Sequence, residues 1–357
     1  MLLVTTWFGT FLVDEGKVIE KRLFAKDPEA LAGRLALVED WKVLPEEREL
    51  MAAHPAAFVT EPRLERAGAP MTSARAEFLR PEDFGYDRAL LHAAMLSLAR
   101  RQMRKAVGPD DHLHQAVGAL DDLQETENLL LERLREWYGL HFPELAKTVD
   151  DREFVDLIAA HGSRESMPLD AKESVGAPLG DPERRSVTEM ASLLRDVGDR
   201  RRGIEAYIEK TASGLAPNVS ALAGPVLAAR LVSLAGGVEP LARLPASTVQ
   251  LLGAEKALFR HLRDHSRPPK HGVLFQHPLV HRAPPWQRGA ITRAFAGKIA
   301  IAARADAYTR RDLAASLRAD LERSLASIRE TKRAPPARAR ESRDSEKRRR
   351  PAGKRRR

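Results

Sequence analysis

Apolar side chains recur at helical spacing through most of the chain. Leu113, Val117, Leu120, Leu131, Leu134 and Tyr138 form one run, interrupted by the polar Gln124 and Glu127. Val187, Met190, Leu194, Val197, Ile204 and Ile208 form a second, with Arg201 among them. Steps of three and four place such residues along one stripe of a helix. A Pro-, Gly- and Ser-rich stretch, roughly 161–185, separates the runs. Two amphipathic helices joined in this way predict a long antiparallel coiled-coil hairpin, with an ordinary helical bundle as the alternative.

The beginning of the chain has another character. Residues 1–14 carry the β-branched and aromatic Val4, Thr5, Thr6, Trp7 and Phe8 and read as one strand; Glu15-Gly16 supplies a turn, and 17–24 reads as a second strand. Asp27-Pro28 places a cap before a first-turn proline, predicting a helix over 29–39. A short α/β domain with Pro-rich loops at Pro45, Pro55, Pro62 and Pro70 then extends to about residue 85. After residue 211 the chain is rich in Ala, Leu and Gly, and Pro217, Pro225, Pro240 and Pro245 cut it into short helices. A loop at 267–272 precedes a strand-like run at 273–275, and a further helix is expected over 287–307. The predicted fold is mainly α with a small N-terminal α/β domain (1–85), a coiled-coil region (86–214), an all-α domain (215–331) and a tail (332–357).

Composition agrees. Hydrophobic residues at 43% allow a sizeable core, and aromatics at only 5% beside abundant Ala and Leu favour helix. The absence of cysteine excludes disulfides and thiolate zinc sites. Met1-Leu2-Leu3-Val4 lacks the basic start of a signal peptide. The apolar stretch 215–237 is interrupted by Asn218, Pro225 and Arg230, so it reads as buried helices and a soluble chain is expected.

Charge is unevenly spread. Residues 332–357 carry net +10, residues 216–311 also net +10, and residues 1–215 net −10. A domain-sized positive field implies a polyanionic partner for the second half, and the acidic half suits a protein partner. The tail, with nothing to bury, is expected to be disordered.

Enzymatic signatures are missing. Gly289 and Gly297-Lys298 have the wrong spacing for a phosphate loop, and neither G-x-S-x-G nor a strand-following G-x-G-x-x-G occurs. His261, His265, His271, His277 and His281 cluster in sequence. The first two stand four apart, but Arg260 and Arg263 would repel a cation there, so a metal-dependent nuclease is the weaker alternative to RNA contact. As a helix, 253–262 puts Leu258 and Leu262 on one face and Lys256, Arg260 and Arg263 on another. Beside Pro268-Pro269-Lys270-His271, that face would make a phosphate cradle; a merely solvated surface is the plain alternative.

Several segments resemble the Nop-domain proteins of box C/D guide-RNA particles. They are Leu215-Ala216-Pro217-Asn218-Val219-Ser220-Ala221-Leu222, the stretch 224–237, Leu244-Pro245-Ala246-Ser247-Thr248-Val249-Gln250-Leu251-Leu252 and 253–262. Pro268-Pro269-Lys270-His271-Gly272, Phe275-Gln276-His277-Pro278, Trp286-Gln287-Arg288-Gly289 and 300–308 continue the likeness. Upstream, Tyr138-Gly139-Leu140-His141-Phe142-Pro143-Glu144-Leu145 resembles a signature of the coiled-coil region. The pattern is departed from before Trp286, where a bulkier residue than Pro285 is expected, and at Ala290, where the family often carries Lys.

The resemblance implies a non-catalytic scaffold. Its N-terminal domain would bind the methyltransferase fibrillarin, its coiled coil would pair two copies, and its Nop domain would grip a box C/D guide RNA on a kink-turn-binding, ribosomal-protein-like subunit. No cofactor is implied on this chain, S-adenosylmethionine belonging to fibrillarin. The compact length resembles archaeal members, implying a cytoplasmic particle. The RNA-facing positions map onto Lys256, Arg260, His261, Lys270, His271, Gln276, Arg288, Lys298 and Arg304. Leu113, Val117, Leu120, Leu131 and Leu134 are expected to form the dimer seam. A splicing-factor-like adaptor without methyltransferase is the alternative, disfavoured by a complete N-terminal domain.

Overall fold

A computed structural model describes residues 1–73, 78–168, 174–264 and 268–335. The predicted tail lies almost wholly outside these residues, as do His265 and Arg267. The chain divides into two units, Met1–Val107 and Gly108–Arg357.

The first unit is α/β. Strands β1 (Leu2–Thr6), β2 (Gly9–Asp14), β3 (Lys17–Leu23) and β4 (Phe58–Val59) form a sheet in the order β3-β2-β1-β4. β1 is antiparallel to β2 (Thr6 opposite Gly9) and parallel to β4 (Leu3 opposite Val59). The single strand expected over 1–14 is therefore two, folded back at Trp7-Phe8. Phe8 is buried with Phe11 and Tyr86 under that turn, so burial sets the reversal where no turn-type residue announces it. Between β2 and β3 the tight turn is as read: Glu15 (φ 46°) and Gly16 (φ 77°) both take left-handed geometry, the pair a two-residue hairpin needs.

Helices α1 (Pro28–Glu39), α2 (Pro45–Ala53) and α3 (Pro62–Glu65) each open on proline, whose fixed φ suits a first turn. Asp27 caps α1 through the Ala30 N–H at 2.8 Å. Helix α4 (Arg88–Ala106) packs on α1: Ala94 joins Leu31, Phe24 and Leu44 in one cluster, and Ser97 and Arg101 both bond Glu29. This packing carries the first unit to residue 107, not the boundary of 85 drawn from sequence.

The described residues of the second unit form helices joined by loops, with no strand among them. Its first part comprises α5 (Pro109–Tyr138), α6 (Leu145–Thr148), α7 (Asp151–His161) and α8 (Asp181–Leu215). Leu134 shares a core with Val187, Ala191 and Leu194; Glu127 pairs with Arg201 at 2.5 Å; Leu113, Val117 and Leu120 pack with Ile208 and Ala212. Partners on α8 thus come in the reverse order of those on α5.

Beyond α5 the chain forms a fastened knot. His141 is buried; its Nε2 accepts from the Arg164 N–H (3.1 Å), so Nδ1 carries the proton donated to the Ala177 carbonyl (2.7 Å). Arg164 returns to the carbonyls of His141 and Gly176, each at 2.7 Å. The signature around His141 is therefore explained by local architecture.

The remaining helices are α9 (Pro217–Ala223), α10 (Pro225–Ala235), α11 (Val238–Arg243), α12 (Ala246–Val249), α13 (Glu255–Asp264), α14 (Pro278–His281), α15 (Pro285–Arg304) and α16 (Ala314–Thr331). Their core, with Val219, Leu231, Phe295 and Leu321, is continuous with Leu113, Val117 and Leu120 of α5, so residue 215 marks no break in packing. Among the described residues no helix is long and apolar enough to cross a membrane. The 215–237 stretch is divided between α9 and α10, as its prolines suggest.

Candidate nucleic-acid interface

Residues 270–273 are fixed by hydrogen bonds to the preceding turn. Gly272 N–H donates to the Gln250 carbonyl (2.8 Å), Val273 N–H to the Leu252 carbonyl (2.7 Å), and the Gln250 amide to the Lys270 carbonyl (2.8 Å). A Cβ on Gly272 would stand 1.9 Å from the Leu252 oxygen, so the close approach demands glycine. The strand-like run predicted at 273–275 is instead a 3-10 turn, Val273–Gln276. Its Phe275 N–H bonds back to Gly272 at 3.0 Å, which curls the chain after the two pairing bonds.

That turn presents Phe275 as a half-buried platform. The His271 ring stacks on it (5.7 Å, 24°), His281 meets its edge (5.2 Å), and the Arg288 guanidinium lies 5.4 Å from its centroid. Arg288 is also tied to the carbonyls of Ala283 (2.8 Å) and His281 (2.9 Å), so it builds the platform and is not a free phosphate ligand. Burial lowers the His271 pKa, and the charges of Arg288 and Lys270 act the same way, keeping the imidazole neutral. Lys270 and Gln276 are exposed at the rim.

Helix α13 follows Gly253, which is left-handed at φ 79° beside Val273. Lys256 and Arg260 are exposed along it, and His261 is half-buried. Arg263 pairs with Asp264 at 2.7 Å. Leu262, read as sharing a face with Leu258, is 64% exposed, and Phe259 is 68% exposed. Among the described residues the helix thus keeps an exposed apolar edge.

Two mapped positions fall elsewhere. Lys298 is only 20% exposed and pairs with Asp320 of α16 at 3.0 Å, a packing role between helices. Arg304 donates from Nε to the Ala242 carbonyl at 3.2 Å. The structure thus brings Lys270, His271, Gln276 and Arg288 into one cluster, next in the chain to Lys256, Arg260 and His261, and leaves Lys298 and Arg304 out of it. Sequence reasoning takes in Phe275 only as part of a motif; an aromatic between basic and histidine residues is the signal for its stacking role. Among the described residues no three potential ligands stand close enough to hold a metal; His271 bonds Thr292 and His277 lies against Phe295.

The leucines assigned to a dimer seam are also placed. Leu113, Val117, Leu120 and Leu134 are buried within the chain and Leu131 partly so, all in the packing of α5 on α8. The outer faces of those helices carry Leu129 (63% exposed) and Leu193 (54%) instead.

Comparison with known proteins follows the same lines. The Nop family model, described as "snoRNA binding domain, fibrillarin", matches residues 119–327. An uncharacterized NOP5 family protein of Methanocaldococcus jannaschii is 45% identical over 215 residues, covering 55% of this chain and 52% of that protein. Nucleolar protein 58 of Debaryomyces hansenii is 34% identical over 280 residues, 71% of this chain and 54% of its own. The chain therefore spans about half the length of the curated relatives it matches. A crystal structure of a fibrillarin/Nop5p complex aligns over 92% of this chain and 100% of the other, at 23% identity and a TM-score of 0.41.

Proposed function

The chain belongs to the Nop family, and from that premise we propose that it is a non-catalytic scaffold of a box C/D ribonucleoprotein guiding RNA 2′-O-methylation. In this reading the second unit holds a guide RNA, together with a kink-turn-binding, ribosomal-protein-like subunit. The first unit holds fibrillarin, which brings S-adenosylmethionine. The α5–α8 pair acts as an antiparallel arm whose outer face, including Leu129 and Leu193, joins a second copy.

The observation that carries the RNA reading is the pinned His271–Phe275–Arg288 stack, with Lys270 and Gln276 exposed at its rim and Lys256 and Arg260 exposed on α13. Lys and Arg neutralise phosphates, while a neutral imidazole and an amide bond sugars and base edges. Every part of this chemistry is binding, and no step of methyl transfer is assigned to the chain.

The test is reconstitution with fibrillarin, the kink-turn binder, a guide RNA and S-adenosylmethionine, omitting one component at a time. Methylation is expected to require this chain, and the chain alone is expected to transfer nothing. Full activity without it would overturn the scaffold reading. An RNA-bound particle that never recruits fibrillarin would favour the adaptor alternative.

A further inference from the structure

A cleft of about 230 Å³ opens between α5 and α10, with Val273 as its third wall. Two side-chain bridges brace it. His114 Nδ1 and the Ser233 hydroxyl share a hydrogen bond at 2.7 Å, and Arg230 grips the Asp121 carboxylate through both of its terminal nitrogens. Gly118, the one glycine within the thirty residues of α5, lines the same cleft. A Cβ built there meets nothing within 4 Å, so no close approach demands glycine. Glycine inside a helix is destabilising against alanine. What it provides here is room.

The cleft adjoins both elements on which the RNA reading stands. Val273 is two residues from His271 and two from Phe275, a span of at most about 7 Å of chain. Gly253, just before α13, rests on the same walls: a Cβ there would stand 3.3 Å from Leu234 Cδ1 and 3.4 Å from Val273 Cβ.

The lining selects its occupant. Arg230 is its one Lys or Arg and is matched by Asp121, its one carboxylate, so a phosphate or an acidic peptide finds no surplus cation. Leu234, 46% exposed, and Val273 offer apolar surface. Among the described residues, His114 Nε2 and the Gln115 side-chain amide bond nothing else in the chain, and both residues are exposed. Apolar walls with a donor and an acceptor at the rim suit the ring and the edge of an unstacked nucleobase.

We propose that the α5–α10 cleft receives one unpaired base of the RNA that occupies the 268–288 face, its ring on Leu234 and Val273 and its edge on Gln115 and His114. The cleft is then a base-reading pocket beside a phosphate-binding surface, and it makes the complex sensitive to a single nucleotide. This assignment rests on the RNA reading given above.

The probe is a kink-turn guide RNA on its kink-turn-binding subunit, titrated with the full-length chain. The RNA is used intact and with single abasic substitutions at each unpaired position. Gly118→Leu fills the cleft with a good helix former, and its affinity for intact RNA should fall roughly tenfold, the worth of one base contact. One abasic position should cost the parent chain the same factor and cost Gly118→Leu nothing further. Gln115→Ala, at an exposed position, should lose several-fold and couple to that same nucleotide; it decides the matter alone if circular dichroism shows Gly118→Leu misfolded.

Parent-like affinity for the folded variants overturns the proposal. So does a loss that adds in full to every abasic position, the result expected if a side chain of the kink-turn-binding subunit fills the cleft. Lys270→Ala with His271→Ala keeps the two readings apart. Parent-like affinity for that pair overturns RNA at the 268–288 face, whereas its loss beside inert cleft variants overturns the cleft assignment alone.

Discussion

His271 donates from Nδ1 to the Thr292 hydroxyl at 3.0 Å, because that hydroxyl spends its own proton on the Arg288 carbonyl at 2.7 Å. The direction of one bond fixes the other. The neutral ring is thereby held in a single tautomer, with Nε2 left as an acceptor for a ribose hydroxyl or a base N–H. His271→Ala should lower RNA affinity roughly tenfold, the effect of about 1.4 kcal/mol of lost bonding and stacking. Thr292→Val, nearly isosteric, should cost several-fold through the freed tautomer alone. Titration with labelled RNA checks both, alongside circular dichroism to confirm the fold. Parent-like affinity for His271→Ala would remove the stack from the interface.

The same region gives a pH dependence. Burial lowers the pKa of His277, whose ring lies 4.8 Å from that of Phe295, and burial with two neighbouring cations lowers that of His271. Both bind a proton less readily folded than unfolded. Their contribution is therefore complete above the ordinary imidazole value of about 6.5 and is lost as pH falls below it. The melting temperature of the second unit should drop between pH 7.5 and 5.5. His277→Asn, which keeps an acceptor for the Leu279 N–H, should flatten that drop. An unchanged slope would locate the titration elsewhere.

Much of this architecture is legible in the sequence because it is local. Asp27-Pro28, Glu15-Gly16 and the prolines at 217, 225 and 245 mark elements where they occur, since caps and turns are decided by a few adjacent residues. What is not legible depends on distant partners. Nothing near Lys298 in sequence shows that Asp320 will take its charge, and nothing near Arg88 shows that α4 will pack on α1. Leu120 and Leu134 do lie on a buried helical stripe, as their spacing predicts, but a stripe does not say whether its partner is in the same chain. The composite at 268–288 is legible as charge and histidine; its ring stack is not, because it needs residues from three elements.

Those distinctions separate the basic residues by experiment. Lys256→Ala with Arg260→Ala should reduce RNA affinity and flatten the salt dependence, by roughly 0.7–0.9 in log–log slope for each phosphate that is no longer neutralised. Lys298→Ala should leave the slope intact and lower stability by at most about 1 kcal/mol, the usual range for a partly exposed pair. Affinity measured at several salt concentrations, with thermal melts, decides between the two behaviours. A slope reduced by Lys298→Ala would return that residue to the interface.

Self-association and folding separate in the same way. Leu120→Asp or Leu134→Asp buries an unpaired carboxylate in the chain's own core and should unfold the second unit before any dimer is tested. Leu129→Asp with Leu193→Asp changes only exposed positions and should leave the melting temperature within a few degrees while halving the mass seen by light scattering. An unchanged mass would place the self-contact on another surface.

Asn218 and Asp306 lock the start of α9 to the segment after α15. The buried Asp306 carboxylate accepts the N–H groups of Asn218 (3.1 Å) and Val219 (3.0 Å) and the Asn218 side-chain amide (2.6 Å). That amide also donates to the Arg311 carbonyl (2.9 Å), and its oxygen accepts the Leu313 N–H (2.6 Å). Each hydrogen-bonding part of Asn218 is occupied, so the residue is structural though it lies in a family-like motif. Asp306→Ala strands three donors in the interior and should cost on the order of 3–5 kcal/mol. Asn218→Asp changes a single atom type but sets two carboxylates against each other and removes the donor to Arg311. It should therefore destabilise the unit strongly at pH 7 and recover in part below about pH 5, where one carboxyl takes up a proton and donates it to the other. Urea unfolding at both pH values, followed by helical circular dichroism, measures this. A loss for Asn218→Asp that is the same at pH 7 and pH 4.5 would show that carboxylate repulsion is not its cause.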